Sequence, residues 1–207
     1  MSKPLFTGDE SIPADAIVLF DGTSLDAWHK RGSDEPAGWK VENGYMEVVP
    51  GTGDICSKEL FYDCQVHVEF WLPLMADCTG QARANSGVYL QGRYEVQVLD
   101  SYGLDSLDDD CGGIYRTAAP MVNACRPPEH WQTYDIFFRA PRFNHKGVKV
   151  EPARISVLHN GIWIHHDLEV HEPTGGEIDH EFSKPGPLLL QDHGNLIRYR
   201  NVWVRKL

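Results

Sequence analysis

Short runs in which apolar and polar residues alternate recur along this 207-residue chain, with turn residues between them. A period of two sends alternate side chains to opposite faces of a strand. Strands are predicted in "GWKVENGYMEVV", "CQVHVEFWLP", "SGVYLQG", "RYEVQVLD", "WQTYDIFFRA", "ARISVLHNGIWIHH", "GPLLLQDHG" and "IRYRNVWVRKL". Two of them hold Asn-Gly between β segments, in "VENGYM" and "LHNGIW", which is the strongest short hairpin signal. Helical periodicity is scarce. Many short strands between turns specify an all-β domain, a sandwich or a barrel. The stretches "SYGLDSLDDDCGG" and "APMVNACRPPEH" read as long loops, where such a domain usually carries its site. With no repeat and no linker, a single domain is expected over 16–207, preceded by a loosely attached arm over 1–15.

Composition narrows the function classes. The hydrophobic fraction of 42% is ample for a core, and the formal net charge is −11, from 30 acids against 19 Lys and Arg. A nucleic-acid binder needs a basic stripe to neutralise phosphates, so that partner is not expected. No run approaches the roughly 18 apolar residues of a membrane span. The beginning, "MSKPLFTGDESIPADAIVLF", lacks a basic start followed by an apolar region, so a cytoplasmic protein or an exported one with its signal removed is expected. The cysteines, Cys56, Cys64, Cys78, Cys111 and Cys125, include no C-x-x-C pair, and a zinc site is not expected on spacing. Cys111 and Cys125 could bridge in an exported protein or remain buried thiols.

Polar residues inside β runs are the candidates for chemistry, because a buried polar group must be paired or functional. In "YEVQVLD" (94–100) Glu95 and Gln97 share a face opposite Tyr94, Val96 and Val98. Asp100 would fall with the valines unless a bulge after Val98 returns it to the polar face. "NSGVYLQ" aligns Asn85, Gly87, Tyr89 and Gln91, and a strand glycine often marks close approach of a ligand or backbone. "LLLQDHGN" delivers Gln191, Asp192 and His193 at a glycine turn. "RYRNVWVRKL" places Arg198, Arg200, Val202 and Val204 on one face. Such a set on a concave sheet suits a polyhydroxy ligand. The plainer readings are a solvated Glu95, an Asp192–His193 side-chain cap, and an Arg200 that guards a sheet edge.

Two family likenesses sharpen this. "EVQVLD" resembles the E-x-D-x-x-E strand of laminarinase-type β-glucanases, which are two-sheet jelly rolls, with Gln97 and Asp100 replacing the second and third acids. Retaining hydrolysis requires two carboxyls roughly 5–5.5 Å apart. The second covers nearly the whole chain from Ile17. It rests on "LFDGTSLDAW", "GWKVENG", "NSGVYLQ", "YEVQVLD", "GGIY", "WQTYDI", "NG", "LLLQDHGN" and "YRNVWVRKL", in that order. By these the chain resembles the bacterial 3-keto-disaccharide hydrolase family, associated with 3-keto-glucoside 1,2-lyase and hydratase activity. The resemblance implies a two-sheet antiparallel jelly-roll sandwich similar to concanavalin A, with a 3-keto-glycoside substrate.

A glucoside oxidised at C3 has an acidified C2 hydrogen. Its removal gives an enediolate that can expel the C1 substituent, after which water adds to the glycal. This chemistry asks for a base, for which His193 or Glu95 is the candidate. It also asks for an acid, Asp100 or Asp192, and for a cation at the C3 oxygen, Arg200 or Lys58. Asn85, Gln97 and Gln191 would orient hydroxyls, and Tyr115 or Trp131 would stack on the ring. A divalent metal could take the cation's place, with Glu95, Asp100 and His193 as ligands. The alternatives are a retaining β-glucanase-like hydrolase and a non-catalytic lectin-like carbohydrate-binding module. The aglycone, the anomer and the oligomeric state stay open.

Overall fold

The computed structural model describes residues 12–207, so the arm expected over 1–15 falls largely outside the described residues. Fifteen strands, numbered along the chain, build two antiparallel sheets and a small hairpin. The larger sheet runs β13 (Ile162–Val170), β12 (Ala153–His159), β9 (Trp131–Arg139), β6 (Cys64–Trp71), β15 (Arg198–Lys206), β4 (Tyr45–Glu47) and β3 (Lys40–Glu42), with β1 (Ile17–Phe20) also paired to β15. The smaller runs β2 (Trp28–Lys30), β5 (Ile55–Phe61), β14 (Gly186–Leu190), β7 (Ser86–Leu90) and β8 (Tyr94–Val98). Strands β10 (Arg142–Phe143) and β11 (Lys149–Glu151) form the separate hairpin.

The alternating pattern sets which face each strand buries. Val66, Val68 and Phe70 of β6, and Tyr134, Ile136 and Phe138 of β9, pack in one core with Val88, Leu90, Tyr94, Val96, Val98, Leu188 and Leu190 of the smaller sheet. Burying each such side chain contributes roughly 1.5–3 kcal/mol. Two polar struts cross this apolar layer from the larger sheet. The Tyr134 hydroxyl donates to the Gln97 carbonyl at 2.7 Å. The Tyr199 hydroxyl donates to Ser86 Oγ at 2.7 Å, and Ser86 donates onward to the Gln191 carbonyl at 2.6 Å. The Asn-Gly hairpins form as expected: Asn43 and Gly44 join β3 to β4, and Asn160 and Gly161 join β12 to β13. All four adopt positive φ, as a type I′ turn requires.

The alternation expected in "RYRNVWV" fails. The β15–β6 register shifts between Arg200 and Trp203, and Asn201 has φ 46. This bulge adds one residue, so Val202 and Val204 join Tyr199 in the core, whereas Arg200 lies on the opposite, outer face. There Arg200 donates to Glu69 at 2.6 Å and stacks over Trp131 at 4.1 Å.

Candidate functional site

Strands β7 and β8 pair with Val88 opposite Val96, Tyr89 opposite Glu95 and Gly87 opposite Gln97. Because both valines enter the core, Tyr89, Glu95 and Gln97 project from the other face of the smaller sheet. Two loops roof that face and enclose a cavity of about 320 Å³. Residues 112–115 extend the sheet beside β8: Gln97 N–H donates to the Gly113 carbonyl, Gly112 N–H to the Gln97 carbonyl, and Tyr115 N–H to the Glu95 carbonyl. That path brings Tyr115 and Arg116 to the cavity wall. The opposite wall is the Thr174–Gly175–Gly176 turn. Thr174 Oγ1 accepts from Glu95 N–H at 2.8 Å, and Arg31 holds the turn by donating to the carbonyls of Gly176 and Glu177.

Glu95 is 2% exposed and its carboxyl leans over Gly87. A Cβ on Gly87 would lie 2.2 Å from Glu95 Oε1, so the glycine makes room for the acid. Burial pushes the Glu95 carboxyl up to about 7; Asp54 adds to the rise and the Tyr89 hydroxyl opposes it. Burial, with Glu95 beside it, drives the Tyr89 phenol far above its ordinary value. Around this acid runs a chain of amides. Gln97 Nε2 donates to Asn85 Oδ1 at 3.0 Å, Asn85 Nδ2 donates to Gln81 Oε1 at 3.0 Å, and Gln81 Nε2 donates to the Asp109 carbonyl at 2.6 Å. Gln191 Nε2 donates to the Tyr89 hydroxyl at 3.3 Å. His193 is exposed at the cavity edge.

Of the residues expected from sequence, Glu95, Gln97, Asn85, Tyr115, Gln191 and His193 therefore meet around one cavity. Five do not. Arg200 and Trp131 lie on the outer face of the other sheet, so Glu95 and Arg200 sit on opposite surfaces of the sandwich. Lys58 is exposed on β5 away from the cavity lining. Asp192 accepts from the N–H groups of Gly51, Gly53 and Gly194. It pins the loop before β5, which is the capping reading. Asp100 comes closer to the expectation. Alternation does break after Val98, since Val98 and Leu99 both enter the core. The Asp100 carboxylate, however, accepts from Arg83 Nε at 2.8 Å and from Tyr102 N–H at 3.3 Å instead of lining the cavity. Glu95, Asp100 and His193 are thus not gathered as a ligand set. Among the described residues no three His, Cys, Asp or Glu side chains are grouped to hold a metal ion.

Sequence reasoning missed Gln81, Arg116 and Thr174 and undervalued Tyr89. Arg116 carried one faint signal, its place just after "GGIY", but nothing in the pattern reveals that it takes a left-handed φ of 53. Non-glycine residues rarely hold that conformation. Cys111 and Cys125 are both buried and free. No described helix is long and apolar enough to cross a membrane.

A crystal structure of a "putative glycosyl hydrolase" from Parabacteroides distasonis is 37% identical, with TM-score 0.85, over 94% of this chain and 85% of that one. A second "putative glycosyl hydrolase" from that organism, 19% identical with TM-score 0.69, shares the fold over 93% of this chain and 94% of its own. The carbohydrate binding module CBM66 from Bacillus subtilis, 12% identical with TM-score 0.52, also shares the fold, over 87% of this chain and 96% of its own. No curated protein matches the chain. Residues 15–205 match the family described as the 3-keto-alpha-glucoside-1,2-lyase-like domain. The chain, an all-β jelly roll with its polar cavity on the smaller sheet, belongs to that family.

Proposed function

We propose that this protein cleaves 3-keto-glycosides by removing the C2 proton and eliminating the C1 substituent, after which water adds to the glycal. Its family and its 37% identical neighbour support a glycoside-acting enzyme. The observation that carries the finer reading is Glu95, a buried carboxyl with pKa raised to about 7 at the floor of an amide-lined cavity. A general base works best with a pKa near the operating pH. Carboxylate-pair hydrolysis needs a second carboxyl at the bond, and Asp100 and Asp192 are engaged by Arg83 and by backbone N–H groups.

In this reading Glu95 takes the C2 proton and the electron pair moves onto the C3 oxygen. Arg116, exposed at the cavity wall, faces that oxygen as its charge develops. The enediolate then collapses, the C1–O bond breaks, and His193 at the open edge protonates the departing oxygen. Hydration reverses the proton traffic: water adds at C1 and Glu95 returns a proton to C2, so the sum is hydrolysis. Gln97, Asn85 and Gln81 form a fixed row of amides for ring hydroxyls.

The test is isotopic. In D₂O the released 3-keto-glucose should carry deuterium at C2, measured early enough to precede spontaneous exchange. Full retention of the C2 hydrogen, with turnover of unoxidised glucans, would return the protein to the glucanase reading. Binding of glycans without turnover of either substrate would make it a lectin.

A further inference from the structure

We propose that Arg31 and Asp54, neither of which lines the cavity, are a positioning pair that ties the Thr174–Gly176 wall to the turn carrying His193 and sets the electric field at Glu95. Its catalytic consequence, though not its geometry, rests on the reading of Glu95 as the proton-transfer group. Asp54 stands just before β5, and its carboxylate is divided between two tasks. Oδ1 accepts from the Asp192 N–H at 2.9 Å, next to His193. Oδ2 accepts from Arg31 Nη1 at 2.9 Å. Arg31 Nη2 then donates to the carbonyls of Gly176 and Glu177, each at 2.9 Å. Arg31 N–H also donates to the Asp54 carbonyl at 2.9 Å, so main chain and side chains hold the pair in one orientation.

The wall needs such an anchor. Gly175 and Gly176 both have positive φ, and glycine restricts its own backbone least, so the turn takes its shape from what holds it. It also sits close to the acid's neighbour: a Cβ on Gly176 would lie 3.0 Å from the Tyr89 hydroxyl. Two carbonyls and a carboxylate around one side chain match the planar fork of a guanidinium, which a lysine ammonium does not reproduce.

The pair also carries opposite charges. Behind burial, which dominates, Asp54 raises both Glu95 and Tyr89, and Arg31 lowers Tyr89. The other titratable or charged groups around Glu95 are Tyr89 on β7, Arg116 on the roof loop and His193 after β14, with Tyr199 on the core side. Changing Arg31 or Asp54 leaves all of these in place. Neutralising Arg31 bares the Asp54 charge and should raise Glu95. Neutralising Asp54 leaves Arg31 unpaired and should lower it. A pair that merely braced the loops would behave otherwise, because loosening them admits water and lowers Glu95 in both variants.

The experiment reads Glu95 directly. Glutamate labelled with ¹³C at the carboxyl, its signal assigned through Glu95→Gln, gives the Glu95 titration without any substrate. Arg31→Met should move the midpoint up and Asp54→Asn should move it down, by about 0.5–1 pH unit each. The acid limb of kcat for methyl 3-keto-glucoside should move with them. Arg31→Lys keeps the charge without the fork, so it should leave the midpoint within about 0.3 unit while shifting the backbone amide signals of Thr174, Gly175, Gly176 and His193. Arg31→Gln carries the comparison should Arg31→Met fail to fold. Unchanged midpoints, or a downward shift in both charge variants, would overturn the proposal. Opposite midpoint shifts with a stationary acid limb, or with no keto turnover by wild type, would uphold the pair and remove the assignment of Glu95 as the base.

Discussion

Replacing Glu95 with Gln should make the protein more stable, and by an amount that depends on pH in a defined way. The carboxyl rises from 4.5 to about 7 on folding, chiefly because burial disfavours its charge. At about 1.4 kcal/mol per pH unit, that lift corresponds to about 3 kcal/mol. The sign follows from proton binding. Between the two values the folded chain holds a proton that the unfolded chain has lost, so raising the pH through this window weakens the fold. Gln does not titrate. The stability difference, Gln variant minus wild type, should therefore stay flat below about pH 4.5, grow between there and about pH 7, and then level off about 3 kcal/mol above its low-pH value. Paired urea melts at pH 4.5, 6 and 8 would measure it, and roughly 5–10 °C in Tm should accompany the plateau. The constant offset from swapping an acid for an amide cancels in the comparison. Parallel stability curves at all three pH values would refute the argument that burial makes Glu95 a poised base. Activity of the variant should meanwhile fall by roughly 10²–10⁴-fold if the proton transfer is its task.

Three further substitutions probe the surroundings. Gly87→Ala should displace the Glu95 carboxyl, with a packing cost of about 1–3 kcal/mol and a loss of kcat larger than the lost folded fraction explains; unchanged kcat would mean the carboxyl is not used where it sits. Asp100→Asn should destabilise by about 2–3 kcal/mol, since Arg83 loses its charged partner, yet leave kcat/KM of the folded enzyme within a few-fold, as chemical denaturation and kinetics together would reveal. Arg116→Lys should lower kcat by roughly 10²-fold or more with a smaller change in KM, because a guanidinium fork is not replaced by a point charge; a pure KM effect would make Arg116 a binding group.

Much of the fold is legible as period-two alternation, because the core uses one face of each strand and turns at Asn43–Gly44 and Asn160–Gly161 need residues that tolerate positive φ. The pairing of Glu95 with Gln97 on a polar face follows from the same rule. Alternation fails where a bulge intervenes. At Asn201 one extra residue moves Val202 and Val204 to the core and leaves Arg200 on the other sheet's surface. After Val98 the break was foreseeable, but Arg83, the group that captures Asp100, is brought there by chain geometry that no local pattern encodes. Arg116 and Thr174 were illegible for a related reason: they reach the cavity through loops, whose course is set by partners distant in sequence. Asp192 and His193 are adjacent residues with opposite fates, one engaged by glycine N–H groups and the other exposed at the cavity.

Tyr134 and Tyr199 have a consequence for how the molecule bears change. An apolar layer between two sheets is held by close packing, not by bonds of fixed direction. The two phenols act as dowels. They fasten the larger sheet to the Gln97 carbonyl and, through Ser86, to the Gln191 carbonyl, and both anchored residues turn their side chains into the cavity on the far side. Alignment of the amide row is thereby indexed to the larger sheet at two points.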